Sequence, residues 1–432
     1  MSERCPRIHW VSPLPHAETD IAHYTRRILP ELTERAHVTL WTEDMAWDRG
    51  LEKFCQIRHL KPDEILPGTM GTSDPPGQSP GTTFVNIGNS WVFHANLLTL
   101  IKRVPSVIVL HDLAIQEMLL DAIHNRLLDR DAYLHSMRHW YGEEAQALSQ
   151  KALEGTFPAS KLGQEFPGFE LVIENAAAVL THTPAAFEAV AARKYVPVYN
   201  LELPFQADSP AISRRSMTGP LRLVQFGYIG PNRRLEQVLE ALAGMGNDFD
   251  FVLDIAGKLW NPELLKARCD ALGLTQKVRL HGFIPELELD TLIGQAHLVF
   301  NLRHPTMGEA SGSQLRIWNA AAASVVTDQG WYHNLPTDCV FHISLEDEIS
   351  QLKSLLGRLA ENRNLGQSIG QAGYARLIGH HDPAKYADGI LDVAQAFEKD
   401  ARDALFAESA RRLLAQGQDA SGLQHQRVAQ VL

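Results

Sequence analysis

Short apolar runs alternate with longer stretches of helical periodicity along most of this chain, and the alternation runs through twice. A strand that pairs parallel with its neighbour needs a crossover of a dozen or more residues, usually a helix. The pattern therefore predicts parallel sheets covered by helices. In the first half the expected strands are residues 7–12 (RIHWVS), 37–41, 83–88, 106–112 and 178–183, with a helix over 21–34. In the second half they are 221–230 (a strand and its turn), 251–257, 278–283, 297–302 and 324–328, with helices in LEQVLEALAGM and PELLKARCDALG. With 432 residues the chain is too long for one ordinary core, so two domains are expected.

Three segments break the pattern. Residues 62–83 are rich in Pro, Gly, Ser and Thr and are expected to form a long loop. Residues 113–178 are mostly helical. Residues 206–220, QADSPAISRRSMTGP, have the polar, Pro- and Gly-containing composition of an interdomain linker. The expected organisation is an N-terminal domain over 1–205, the linker, a C-terminal domain over 221–382, and helices over 383–432 that partly pack back on the N-terminal domain.

Charge and cysteine usage narrow the function. Forty Lys plus Arg against 51 Asp plus Glu give a net charge of −11, which argues against general nucleic-acid binding. Cys5, Cys55, Cys269 and Cys339 show neither a CxxC pair nor Cys/His spacing, so no zinc site or disulfide framework is expected. The N-terminus lacks a leader pattern and no run of 18 apolar residues occurs, so a cytoplasmic protein is expected. Arg126, Arg130, His135, Arg138 and His139 lie among Tyr133, Met137 and Trp140. Such a face can meet a lipid-phosphate acceptor or the inner face of a membrane, as a peripheral contact. The favoured reading is an insertion packed on its own domain, because Asp121, Asp129, Asp131, Glu143 and Glu144 dilute the charge.

Two segments carry chemistry. In FGYIGPNRRLEQVLEAL a strand ends at a turn with Gly227 and Gly230, and a helix follows. Such turns present free backbone N–H groups and a helix N-terminus to an anion. Arg233 and Arg234 can clamp phosphate oxygens there. In HPTMGEASGSQLRIWNAAAASVVTD, Ser311, Gly312 and Ser313 open a helix, and small residues let a ligand approach the backbone. Glu309 just before them can accept hydrogen bonds from sugar hydroxyls; as the bland alternative it is an acid favoured by the helix dipole.

Together these segments resemble the retaining glycosyltransferase family 4, of GT-B fold, from about Leu221 to Ala396. GT-B means two Rossmann-like α/β domains facing across a cleft. FGYIGPNRR resembles that family's Gly turn with basic residues for the donor diphosphate. VRLHGFIPELELDTLIGQAHLVFNL resembles its strand–Gly–helix–strand unit around Gly282, and MGEASGSQLRIWNAAAASVVTDQGWYHNLP its Glu-x7-Glu segment. Here the first Glu is Glu309 and the second position is Ile317; the family's first Arg is Tyr228, and Arg233 stands for its Lys. The pattern with GExSGS, Arg316 and GWYxxLP resembles a bacterial subset without the second Glu. More loosely, SPLPHAETDIAHYTRRILPEL resembles the family's first loop, with Asp20 where Gly is usual. NIGNSWVFHANLL, with Gly88, Asn89 and His94 early in a helix, and VIVLHDL, with His111 and Asp112, resemble its third and fourth strand ends.

The resemblance implies Glu309 and His111 as catalytic residues. It implies Gly227, Tyr228, Gly230, Arg233, Arg234, Gly282, Ser311, Gly312, Ser313 and Arg316 on the donor side, and Asp20, Asn89 and His94 on the acceptor side. It also implies a nucleotide-sugar donor as substrate, a glycan or lipid-linked acceptor, retention of anomeric configuration, and no metal or other cofactor. A nucleotide-sugar epimerase and a non-catalytic sugar-nucleotide-binding protein are the alternatives. A plain Rossmann dehydrogenase is set aside, because no GxGxxG follows the first strand.

Overall fold

A computed structural model describes residues 5–65, 70, 81–207 and 215–399. Among the described residues thirteen strands form two sheets. The first contains β1 (Arg7–Val11), β2 (His37–Thr42), β3 (Gln56–His59), β4 (Thr82–Ile87), β5 (Ser106–Leu110), β6 (Ala178–Thr181) and β7 (Val198–Asn200). The second contains β8 (Leu221–Phe226), β9 (Phe251–Ala256), β10 (Val278–Gly282), β11 (Leu298–Asn301), β12 (Ser324–Thr327) and β13 (Phe341–Ile343). Their orders are β3-β2-β1-β4-β5-β6-β7 and β10-β9-β8-β11-β12-β13, and every pairing is parallel.

In each order the chain starts in the middle, runs to one edge and returns to fill the other. The strand ends at the reversal, β1 against β4 and β8 against β11, are where ligands bind in such sheets. The inner strands β4, β5 and β6 are buried along their whole length, so they show no apolar–polar alternation, and β4 buries Thr82, Thr83 and Asn86 with its apolar residues. One core under the first sheet gathers Val85, Ile108 and the insertion helices through Leu119, Tyr133 and Met137. On its other face Trp10 stacks on Phe84 at 5.4 Å beside Ile28 and Leu32. The insertion is thus packed on its own domain, and its Arg138 and Arg130 face Glu143 and Glu154.

Residues 383–399 are helical, and Tyr386, Ala387 and Ile390 lie in the core of the N-terminal domain beside Trp10 and Ile28. Tyr386 Oη and Tyr24 Oη share a 2.5 Å hydrogen bond. The chain therefore crosses between domains twice. The crossings are bonded to each other, Phe205 N donating to His381 O at 2.8 Å and His381 Nδ1 lying 2.7 Å from Leu203 O. Of the expected linker, 208–214 lie outside the described residues; Arg215 is anchored on the carbonyls of Ala296 and Ala320. Within 62–83, residues 66–69 and 71–80 lie outside them as well, as do 400–432 of the expected C-terminal helices. Among the described residues no helix is long and apolar enough to cross a membrane.

Candidate active site in the interdomain cleft

β8 ends at Phe226 and turns at Gly227, whose φ is +103°. The neighbouring turn comes so close that a Cβ on Gly257 would sit 2.1 Å from Gly227 O. A short 3-10 turn, Pro231–Arg233, leads to Arg234 at φ +58°, and the helix Leu235–Ala243 starts there. This left-handed residue sends the two arginines apart. Arg233 is buried at 8% exposure, with Nη1 3.2 Å from Asn301 Oδ1. Burial, and then the charge of Arg303, bring it down to about 10, so it stays cationic at neutral pH. Arg234 instead pairs with buried Glu348, Nε lying 3.0 Å from Oε2. Where a donor contact was expected at Arg234, the structure shows an ion pair that occupies its Nε and Nη2.

Beside β8, β11 ends at buried Asn301, whose Nδ2 donates to Gln314 Oε1 at 3.0 Å. Alternation along the strand puts Arg303 on the same side as Asn301, with buried Leu302 turned away. Arg303 Nη1 lies 2.9 Å from Glu309 Oε1, and Met307 N donates to Glu309 Oε2 at 2.6 Å. Met307 N thus holds Oε2, while Oε1 faces the charge of Arg303 as an ion pair and, among the described residues, has no hydrogen-bond partner. Ser311 caps the helix Gly312–Asn319, its side chain accepting from Gln314 N at 3.1 Å. The loop docks on the other domain: Ala114 N donates to Met307 O at 2.9 Å and Thr183 Oγ1 to Gly308 O at 3.3 Å. Gly308 has φ +79°, and a Cβ there would lie 2.6 Å from Leu113 Cβ, so this approach requires glycine.

The N-terminal domain presents the end of β5. His111 Nε2 lies 2.9 Å from Asn86 Oδ1, and its ring is enclosed by Tyr24 at 4.8 Å and His182 at 4.9 Å. Burial, then the neighbouring His182 and His94, hold it well below the usual histidine value, so the ring is neutral. Asp112 Oδ2 accepts from Asn89 N at 2.7 Å. Burial, then the charge of Glu309 across the cleft, raise Asp112 to about 7. Asp20, exposed at the first turn of the helix Asp20–Arg35, lies within electrostatic reach of Arg233 and Arg303.

The cleft thus brings together Arg233, Glu309, Ser311, His111 and Asp20. Other residues named from the sequence lie elsewhere. Arg316, expected on the donor side, fastens its helix to the helix Glu286–Gln295, Nε 2.7 Å from Asp290 Oδ1 and Nη2 3.1 Å from Glu286 O. Asn89 caps and braces the helix Gln116–His124, with Oδ1 accepting from Met118 N at 3.0 Å and Nδ2 donating to Glu117 at 3.2 Å. His94 closes the short helix Trp91–His94 instead of opening it; it is 1% exposed and burial takes it down to about 4, the marks of a core residue. Tyr228 points to solvent, Gly282 ends β10 with its carbonyl accepting from Gly257 N, and Gly312 and Ser313 form the half-buried first turn after Ser311. Ile317, at the second Glu position, is fully buried with Val224, Phe226 and Val299, where a carboxylate would lack water.

Sequence reasoning passed over Asn301, Arg303 and Tyr332, and it named Asp112 without a role. The basic residue two after a strand-end Asn, in NLRHP, was the available signal. Two Asp-x-Asp sequences also occur. Asp129 of the first caps the helix Arg130–Tyr141, and Asp248–Asp250 precedes β9 at the end of the sheet away from the cleft.

Residues 233–392 match the model of a family described as Glycosyl transferase-like. No curated protein matches the chain. Solved structures share the whole two-domain arrangement. HepE of Anabaena, solved in complex with UDP, is 13% identical over 90% of this chain and 100% of that one, with a TM-score of 0.57. A sucrose-phosphate synthase from Thermosynechococcus elongatus is 12% identical over 91% and 100%, with a TM-score of 0.58. WaaG, a glycosyltransferase involved in lipopolysaccharide biosynthesis, is 13% identical over 88% and 98%, with a TM-score of 0.55. The fold is GT-B.

Proposed function

We propose that this chain moves a glycosyl group from a nucleoside-diphosphate sugar to an acceptor hydroxyl, with retention and without a metal ion. The observation that carries the reading is Arg233, a buried cation at the mouth of the second sheet. Among the described residues its guanidinium hydrogen-bonds only to the neutral amide of Asn301. A cation in that position favours a bound anion, and the strand ends of such a sheet are where a diphosphate sits. The match of the C-terminal half to a glycosyl transferase-like family supports the same reading.

Retention rests on the resemblance of the GEASGS segment to retaining enzymes. The route we favour is front-face. The bond from the anomeric carbon to the diphosphate oxygen breaks, and its electron pair stays on the diphosphate. The acceptor oxygen bonds to the anomeric carbon on that same face and passes its proton to the leaving phosphate oxygen. Glu309 Oε2 is held by Met307 N, and Oε1, ion-paired with Arg303 but without a hydrogen-bond partner among the described residues, is placed to accept from a sugar hydroxyl, which suits a group that orients the sugar. The acceptor is a glycan or lipid-linked hydroxyl approaching from the N-terminal domain. There a cavity of about 260 Å³ is lined by Ser12, Glu43, Asp44, Phe93 and Asn96.

Incubation with a panel of nucleotide sugars tests this. Free nucleoside diphosphate released only when an acceptor is present is the expected result. A changed sugar without nucleotide release would mean epimerisation instead, and binding without turnover a non-catalytic protein. EDTA should leave turnover unchanged, since arginine supplies the counter-charge; loss restored by manganese would overturn the metal-free route.

A further inference from the structure

Two further donors lie near Arg233. Among the described residues Arg303 Nε is buried and has no hydrogen-bond partner, and its Nη1 lies 2.9 Å from Glu309 Oε1. Tyr332, in the turn Gly330–Asn334 after β12, is 1% exposed, and its hydroxyl is buried without a partner. Arg233, Arg303 and Tyr332 lie within electrostatic reach of one another. The turn and the Arg303 loop are fastened together. His304 Nδ1 lies 3.0 Å from Gln329 Oε1, Gln329 Nε2 donates to Arg303 O, and a Cβ on Gly330 would sit 2.7 Å from Thr306 Oγ1. Tyr332 O accepts from His342 Nε2 at 2.9 Å, which fixes the base of the phenol.

Two neighbouring buried guanidiniums repel, and a buried hydroxyl without a partner costs free energy. Natural interiors rarely leave such donors unmet unless something binds there. Glu309 offsets one of the positive charges, yet its Oε1 makes no hydrogen bond with Arg303, so Arg303 Nε and the Tyr332 hydroxyl are still unmet. We propose that Arg303 and the Tyr332 hydroxyl join Arg233 to hold and neutralise the leaving diphosphate, in place of the basic residue whose position Tyr228 occupies. Tyr228 is 56% exposed and uncharged, so the turn after β8 brings a single inward cation, Arg233. Arg303 supplies the second from β11, the neighbouring strand, and Tyr332 gives an O–H to a phosphate oxygen as charge builds on it. The assignment rests on the glycosyl-transfer reading above.

The test is calorimetric binding of UDP, GDP and dTDP, each beside its monophosphate, to wild type, Arg303→Gln, Arg303→Lys and Tyr332→Phe, with turnover measured in parallel. For the diphosphate that wild type prefers, Arg303→Gln should weaken binding at least tenfold and Arg303→Lys less. Tyr332→Phe should weaken it threefold or more and slow turnover about tenfold. The monophosphate should change by less than twofold throughout. Equal losses for mono- and diphosphate, or no loss, would overturn the proposal. So would a loss from Arg303→Gln that disappears in a Glu309→Gln background, since Arg303 would then act only by positioning Glu309. If Arg303→Gln fails to fold, Arg303→Lys and the near-isosteric Tyr332→Phe decide alone. Wild type binding none of the diphosphates overturns the transfer reading itself; wild-type binding with unchanged variants overturns only this assignment.

Discussion

Asn86 fixes which nitrogen of His111 carries the proton. Asn86 is fully buried and its Nδ2 donates to Val11 O at 2.9 Å, so the atom facing His111 at 2.9 Å is the carbonyl Oδ1, which can only accept. His111 Nε2 therefore donates, and Nδ1 carries the lone pair. Among the described residues Nδ1 has no hydrogen-bond partner, so the imidazole enters the cleft as a neutral acceptor suited to a sugar hydroxyl.

Substitution at Asn86 should change this without touching substrate. Asn86→Asp places a carboxylate against the ring and raises the His111 pKa. An acidic limb should then appear in kcat/KM between about pH 5.5 and 7, with activity falling as pH falls, because the lone pair is lost on protonation. Wild type should show no such limb from His111, which is held well below the usual histidine range. Superimposable pH profiles would remove the tautomer argument.

Arg233 and Arg234 should separate cleanly. Arg234→Ala strands Glu348, which is buried at 4% exposure, and should cost about 2–4 kcal/mol of stability while leaving nucleoside-diphosphate affinity near wild type. Arg233→Ala should hold or raise the unfolding midpoint, because it removes a buried cation with only a neutral partner. It should cost roughly 30- to 1,000-fold in turnover. Melting curves and steady-state kinetics on the pair decide the matter, and the reverse pattern would exchange their roles.

That separation also shows where the sequence stops being legible. The strand runs and the paired Gly turns locate both sheets, because strands buried on both faces are mostly apolar and β-branched. The edge strands β3, β7 and β13 are three or four residues long and show no such run. Neighbouring arginines look alike in a string. What divides them is the left-handed backbone at Arg234 and an acid 114 residues further on. Arg303 and Tyr332 come within electrostatic reach because β11 and β12 are neighbours in the sheet, and the return of 383–399 to the N-terminal core depends on shape complementarity that no periodicity encodes. Ile317 reads as a missing acid in the sequence; in the fold it is a core residue.

Asp112 gives a linkage prediction. Its folded value of about 7 lies above its ordinary value of 3.8, so the native state binds more protons between these limits. Its contribution to stability is present below the lower value and is lost as pH rises through about 7. Asp112→Asn, which cannot ionise, should gain on wild type steadily from pH 4 to pH 7, so that its melting advantage at pH 8 exceeds that at pH 5. A constant difference across that range would show that the Asp112 environment is not what the geometry implies.

The last prediction concerns Glu309. Its Oε2 is held by Met307 N and its Oε1 is ion-paired with Arg303, inside a loop that itself docks on Ala114 and Thr183 of the opposite domain. A group so placed can orient sugar hydroxyls through Oε1 and balance charge at little reorganisation cost. To attack the anomeric carbon it would have to leave the Arg303 ion pair. Glu309→Gln keeps the shape and the Met307 contact but removes the charge, so turnover should fall by about 10²–10³ while nucleoside-diphosphate binding changes little. Gly308→Ala should act in the same direction from a distance, by forcing the loop away from Leu113. Trapping a glycosyl ester on Glu309 by mass spectrometry would replace the front-face route with a covalent one, and a product of inverted anomeric configuration would overturn retention.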